Sequence, residues 1–227
     1  VSPARALGRG AHVFVDRSDA GRQLGQALAG GWTDAERRQA LLLGLPRGGV
    51  IVAAAAADHL HLPMDAVAVR KISLPRNPEV AVGAFASGGE PVLNDSVVQA
   101  EQLRAADLDV LVAAAVEGVR ADEARYRPGR PPLAVAGRSV VLIDDGAATG
   151  ATLRAAIVAM RVGGAAHVAV AIPVAPRETL LVLEREADSV LCLHSPLLFR
   201  AVGWAYVSFA PPSTEQVARA LAGRVPH

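Results

Sequence analysis

The sequence predicts an α/β fold built on a parallel sheet. Short apolar runs alternate with helix-length segments along most of the 227 residues, the order a parallel sheet needs because each crossover carries a helix. The runs Leu41–Leu45, Ala66–Val69, Val140–Ile143, His167–Val174 and Val190–Leu193 are continuously apolar or nearly so. Strands covered on both faces read this way.

The elements follow in order. Ser18 or Asp19 caps a first helix through Leu24 and Leu28, and Gly30-Gly31 stops it. Strand Leu41–Leu45 leads into Pro46-Arg47-Gly48-Gly49 and then an apolar helix, Val50 to Leu60. Strand Ala66–Val69 runs into Arg70-Lys71. Ile72 to Pro78 holds two prolines and an asparagine and reads as a loop. Val80–Phe85 and Pro91–Leu93, split by Gly88-Gly89, read as a hairpin. One long helix is expected over Val97–Tyr126, capped by Asn94-Asp95-Ser96 and ended by Pro128, Pro131 and Pro132. After strand Val140–Ile143 a helix runs to Gly163-Gly164. Pro176 opens the next helix, to about Ala187. Tyr206–Phe209 reads as a last strand, and Ser213 with Gln216 forms a capping box for the final helix.

Chemistry concentrates in Val140–Thr152, VVLIDDGAATGAT. An apolar strand ends in Asp144-Asp145. The small-residue loop Gly146-Ala147-Ala148-Thr149-Gly150-Ala151-Thr152 then opens onto a helix. Unpaired N–H groups and the positive end of a helix dipole make such a loop a phosphate cradle. The carboxylates just before it can accept hydrogen bonds from sugar hydroxyls. Pro46-Arg47-Gly48-Gly49 and Arg70-Lys71 are two more anion-suited segments at the ends of expected strands. Ligands of open parallel sheets lie at that edge, so all three belong to one expected site.

Composition excludes several classes. Hydrophobic residues make up 52% and charged residues 20%, against disorder. Net charge is +1 with no dense basic run, against nucleic-acid or membrane-surface binding. Val50–Ala57 is the longest apolar run, far short of the ~20 residues of a membrane span, and the first residues lack the apolar core of a signal peptide. Cys192, the single cysteine, permits no internal disulfide and fits a reducing compartment. The histidines are scattered and offer no zinc site. GxxxxGK[ST], GxSxG and a GxGxxG after a strand are all absent.

The Val140–Thr152 strip resembles the phosphoribosyl pyrophosphate (PRPP) signature of type I phosphoribosyltransferases: apolar strand, two acidic residues, four small or apolar residues, Thr-Gly, then a hydroxyl residue. The string RKISLPRNPEVAVGA, Arg70 to Ala84, resembles a subgroup of bacterial phosphoribosyltransferase-like proteins. That likeness runs from about Phe14 to Val217. It implies a type I phosphoribosyltransferase fold in one domain over 1–227: a core about 14–194 with helices flanking the sheet, a flap hairpin about 72–93, a hood about 195–212 and a C-terminal helix 213–223.

It also implies roles. Asp144 and Asp145 hold the ribose hydroxyls and steer Mg²⁺ indirectly, through those hydroxyls and water. The 146–152 loop, with the Thr149 and Thr152 hydroxyls, takes the 5′-phosphate. Arg47, Gly48, Gly49, Arg70 and Lys71 take pyrophosphate, with Arg47 and Lys71 joining the two aspartates as the catalytic set. The matching Arg47 loop often contains a cis peptide. Arg76 and Glu79 are the flap's polar members, and Phe199, Val202 and Trp204 form the acceptor-base pocket. The expected activity is Mg²⁺-dependent transfer of phosphoribosyl from PRPP to a nitrogenous base, a purine by analogy, in the cytoplasm, with no nucleic-acid or membrane partner and room for a homodimer.

Two positions depart from relatives. Ala148 stands where hypoxanthine enzymes carry an Asp, as in adenine enzymes. Ser208 stands where the subgroup usually carries an Asp. These departures keep open a second reading, a PRPP- or nucleotide-sensing regulator without turnover. A third, an isomerase or kinase on another α/β fold, requires that the Asp pair not face the cradle.

Overall fold

The computed structural model describes residues 14–31 and 40–224. The N-terminal stretch with His12, and His227, lie outside them. Five parallel strands form the central sheet: β1 (Ala40–Gly44), β2 (Met64–Ala66), β6 (Ser139–Ile143), β7 (His167–Val174) and β8 (Ser189–His194), in the order β2-β1-β6-β7-β8. The direction of winding reverses between β1 and β6, which opens a crevice at their carboxyl ends. Leu41–Gly44 pairs with Val140–Ile143, and the Leu45 N–H continues the ladder to the Ile143 carbonyl at 2.8 Å.

Alternation along each strand sorts the core into two layers. Leu42, Val141, Ile143, Ala169 and Ala171 face α1 (Arg17–Ala29), α2 (Gly48–Leu60) and α7 (Thr214–Leu221). Leu41, Leu43, Val140, Leu142, Val168 and Val170 face α5 (Ala151–Val162) and α6 (Arg177–Glu186). Both layers are filled by fully buried aliphatic side chains, which is why the strand segments carry no polar alternation.

A second, three-stranded antiparallel sheet holds β3 (Val69–Leu74), β4 (Asn77–Ala86) and β5 (Val92–Leu93). It corrects two expectations. The core strand is Met64–Ala66 rather than Ala66–Val69, and Ile72–Pro78 is mostly strand rather than loop. The prolines are tolerated because Pro75 lies in the turn between β3 and β4, and Pro78 falls in the register shift just after it, where β4 makes no pair. Ile72, Leu74 and Val82 are buried against α4 (Ala105–Tyr126), a demand on packing that outweighs the turn composition.

Other boundaries also differ. Asp16 caps α1, accepting from the Asp19 N–H at 2.8 Å, while the Asp19 carboxylate accepts from Val15. The expected long helix is two: α3 (Asp95–Ala100), capped by Asn94, and α4, separated at Gln102, whose φ of 52° ends the first. The Asp107 carboxylate then accepts from the Arg104 N–H and guanidinium where the second starts. Pro176 is the N-cap of α6. Tyr206–Phe209 is no strand. A 3-10 turn, Val202–Ala205, precedes it, and Tyr206 makes one isolated bridge to Phe14. The Ser213–Gln216 capping box is present in both directions.

Candidate active site

The crevice between β1 and β6 receives two of the three expected segments directly. Pro46-Arg47 follows β1 and is joined by a cis peptide. Gly48 and Gly49 are not loop residues but the first turn of α2. A Cβ on Gly48 would overlap the Asp145 carboxylate, and one on Gly49 would overlap the Ile143 carbonyl. Glycine therefore lets the positive end of α2 sit against the acidic end of β6.

Asp144 and Asp145 terminate β6. Asp144 Oδ1 accepts from the Asp145 N–H at 2.8 Å. Burial, and then the neighbouring charge of Asp145, raises the Asp144 carboxyl well above the usual range. Burial also raises Asp145, against an opposing hydrogen bond from Arg17, whose Nε donates to Asp145 Oδ2 at 2.7 Å. The Tyr206 hydroxyl donates to the Asp145 carbonyl at 2.5 Å. Burial and the Asp145 charge push that phenol up, so it stays a donor.

The cradle follows. Gly146 has φ 154° and its Cα faces Val202 and Val174 so closely that a Cβ would clash with both. The Ala147 N–H is already committed to the Val174 carbonyl at 2.9 Å, so it is not available to an anion. The Ala148 carbonyl accepts from the Thr179 hydroxyl at 2.6 Å. Among the described residues the N–H groups of Ala148, Thr149 and Gly150 have no hydrogen-bond partner. Gly150, with φ 69°, turns the chain into α5, whose first turn carries Ala151 and the exposed Thr152.

A cavity of about 450 Å³ adjoins the crevice. Arg47, Arg70, Arg125, Asp122, Thr152 and Thr214 line it with their neighbours. It thus joins the Arg47 loop to the start of the flap and the first turn after the cradle. Arg70 lies here, ion-paired to Asp122, whereas Lys71, next along β3, is exposed and does not line the cavity. Alternation along the strand places the two on opposite faces.

Flap and hood are placed less uniformly. Arg76, at the β3–β4 turn, pairs with Glu101 at 2.5 Å rather than facing the crevice. Glu79 lies on β4, and its side chain is outside what the structure describes. Phe199 and Val202 pack partly into the core layer. Trp204 is 60% exposed, with the Arg200 guanidinium 4.8 Å above its ring. Ser208 is exposed and donates its N–H to Val15.

Sequence reasoning missed Arg17, Asp122, Arg125, Tyr206 as a hydrogen-bond donor, and Thr214. None sits in a motif, and each reaches the site from a helix or hood segment distant in sequence. Asp122 and Arg125 share a helical face at i, i+3, a weak signal that could have been read.

Cys192 is buried in β8, its thiol pushed up to about 11 by burial, and is no nucleophile. Among the described residues no group of three or more His, Cys, Asp or Glu is arranged to hold a metal, and no helix is long and apolar enough to cross a membrane.

The family model for the phosphoribosyl transferase domain matches residues 20–206. Two Mycobacterium tuberculosis proteins, from strains CDC 1551 and H37Rv, bear provisional phosphoribosyl transferase names. Each is 42% identical over 205 residues, which cover 90% of this chain and 45% of the relative. The chain thus spans about half the length of the curated relatives it matches. A Thermus thermophilus protein of known crystal structure is 39% identical, with a TM-score of 0.84 over 94% of this chain and 99% of its own. With its parallel sheet, its switch-point crevice and this match over most of its length, the chain belongs to the phosphoribosyl transferase domain family.

Proposed function

We propose that the protein transfers the 5-phosphoribosyl group of PRPP to a nitrogenous base of the purine class, releasing pyrophosphate. One observation carries this reading. The Arg47 loop, the Asp144-Asp145 pair and the unpaired amides of the cradle all lie at the carboxyl edge of adjacent strands, β1 and β6.

Each group then has a task. The Ala148, Thr149 and Gly150 amides and the Thr152 hydroxyl hold the 5′-phosphate. Asp144 and Asp145 accept hydrogen bonds from the ribose hydroxyls. Arg47 and the first turn of α2, with Arg70 at the cavity wall, take the charge that grows on pyrophosphate as its bond to C1 breaks. The base nitrogen forms the new bond to C1. Such a transfer passes through an oxocarbenium-like sugar, so the protein acts by positioning and charge neutralisation. Trp204 and Val202 border the acceptor.

The acidic pair fits Mg²⁺ held indirectly. Burial and a like charge raise the Asp144 carboxyl despite Arg17 nearby, a penalty a cation would relieve, and Mg²⁺ retains water and substrate oxygens rather than needing a protein cage. Bound with PRPP, Mg²⁺ supplies neutralisation of the pyrophosphate charge.

The test is pyrophosphate release from PRPP and Mg²⁺ across a panel of purine and pyrimidine bases, beside calorimetric PRPP binding. Turnover with a purine supports the reading. Tight PRPP binding without turnover on any base supports a sensor on the same fold, and no PRPP binding rejects both.

A further inference from the structure

Arg17 opens α1 and is only 8% exposed, unusual for a cation unless it is fully engaged. Its Nε donates to Asp145 Oδ2 at 2.7 Å. Its Nη1 donates to the Ala210 carbonyl at 2.8 Å. The guanidinium carbon lies 3.9 Å over the Phe209 ring. The hood returns to the same aspartate: Phe209 packs 4.8 Å from Tyr206, whose hydroxyl donates to the Asp145 carbonyl at 2.5 Å. Val207 and Ser208 donate backbone hydrogen bonds to Phe14 and Val15, just before Arg17. On the far side, a Cβ on Gly48 would press on both the Asp145 carboxylate and Arg17 Nε. The first turn of α2, the acidic pair and the hood therefore converge on one guanidinium.

Charge neutralisation alone explains the ion pair. It does not explain why the rest of the same guanidinium is spent on a hood carbonyl and a hood ring. The guanidinium is a rigid planar fork. That one plane touches the Asp145 carboxylate, the Ala210 carbonyl and the Phe209 ring at once.

We infer that Arg17 is a positioning residue that holds the Asp145 carboxylate and the 206–210 hood segment as one unit, so that donor binding sets the acceptor side. The inference rests on the phosphoribosyl-transfer reading above.

The chain has two tryptophans, Trp32 and Trp204, so W32F leaves Trp204 as the sole indole and a reporter of the hood. In that background PRPP with Mg²⁺ should change Trp204 emission. R17M should weaken PRPP binding about 10-fold or more, the worth of a charged hydrogen bond, and should show no Trp204 change even at saturation. R17K should recover affinity but little of the emission change, since an ammonium cannot hold a carboxylate, a carbonyl and a ring face in one plane. F209L, which spares the ion pair, should keep PRPP affinity and lose the response. If R17M does not fold, R17K and F209L decide the matter. An unaltered Trp204 response in these variants, or PRPP binding by the W32F parent with no response, overturns the inference. Absence of PRPP binding by the unmodified protein in calorimetry instead overturns the functional reading beneath it.

Discussion

Arg70 on the first flap strand donates to Asp122 on the long helix at 2.6 Å, and both line the same cavity. Asp122 thereby offsets one of the cations that face it. Arg70 is 49% exposed at its side chain, so the pair contributes only about 0–1 kcal/mol to stability. D122N should leave the melting temperature nearly unchanged. It should tighten pyrophosphate binding, because Arg70 is released and the cavity becomes more positive. Calorimetry with pyrophosphate reads this directly. Weaker binding in D122N would mean that Asp122 orients Arg70 rather than competing for it.

The cradle depends on Gly150. Its φ of 69° is left-handed, and an added Cβ would sit 3.0 Å from the Thr179 methyl. G150A should cost about 1–2 kcal/mol from the backbone conformation alone. Because the unpaired amides flank this turn, it should also weaken ribose 5-phosphate binding. Thermal shift with and without ribose 5-phosphate separates the two effects. A full ligand-induced shift in G150A would remove the phosphate from this loop.

The acidic pair should behave asymmetrically. Both carboxyls lie above the usual Asp range, so the folded chain holds more protons than the unfolded chain between the ordinary value and the raised ones. Their contribution to stability is full below that window and falls as pH rises through it. D144N should flatten this fall and hold or raise the neutral-pH melting temperature of the ligand-free protein. D145N is different because it strands a buried Arg17. Loss of one partner from a buried pair costs about 3–5 kcal/mol. The sequence offered the two carboxylates as equals in binding, and their unlike dependence arises from Arg17. Melting curves from pH 4 to 8 for both variants decide this. A marked loss of stability in D144N would refute the asymmetry.

The flap is held more firmly than its composition implies. Leu74 is buried with Ile72 and Val82 against Ala115 of α4. Slow hydrogen exchange is therefore expected in the paired part of β4, Gly83–Ala86, and fast exchange at the Arg76 amide of the turn, with PRPP and Mg²⁺ protecting that amide. L74A should cost about 2–5 kcal/mol if the cluster folds with the core. A much smaller cost, with fast exchange throughout β3 and β4, would show that the flap opens separately.

The parallel sheet was legible because its strands are buried on both faces and its crossovers are regular. Ser213 and Gln216 were legible as a cap because the rule is local. The flap strand Val69–Leu74 was not: Pro75 and Pro78 just after it speak for a turn, while its packing depends on α4, far along the chain. Gln102 breaks the long helix without glycine or proline, so nothing in the local sequence marks it. The same limit applies at the site. Asp144, Asp145 and the cradle form one contiguous motif, whereas Arg17 and Tyr206 reach Asp145 across 128 and 61 residues. Such contacts are set by how helices and hood pack on the sheet.

Trp204 provides the last test. At 60% exposure, with Arg200 over its ring, it contributes little to the core. Val202, two residues earlier, abuts Gly146 of the cradle loop, so this turn lies beside the crevice. An exposed indole on this turn is free to stack on a planar base. W204A should then leave the melting temperature nearly unchanged and weaken binding of a nucleoside monophosphate by about 1–3 kcal/mol, while PRPP binding is spared. The alternative is that the ring packs only against another copy of the chain. In that case W204A shifts the sedimentation profile and leaves nucleotide affinity per folded chain as it was. Running sedimentation and nucleotide titration on one preparation distinguishes a base platform from a contact between copies.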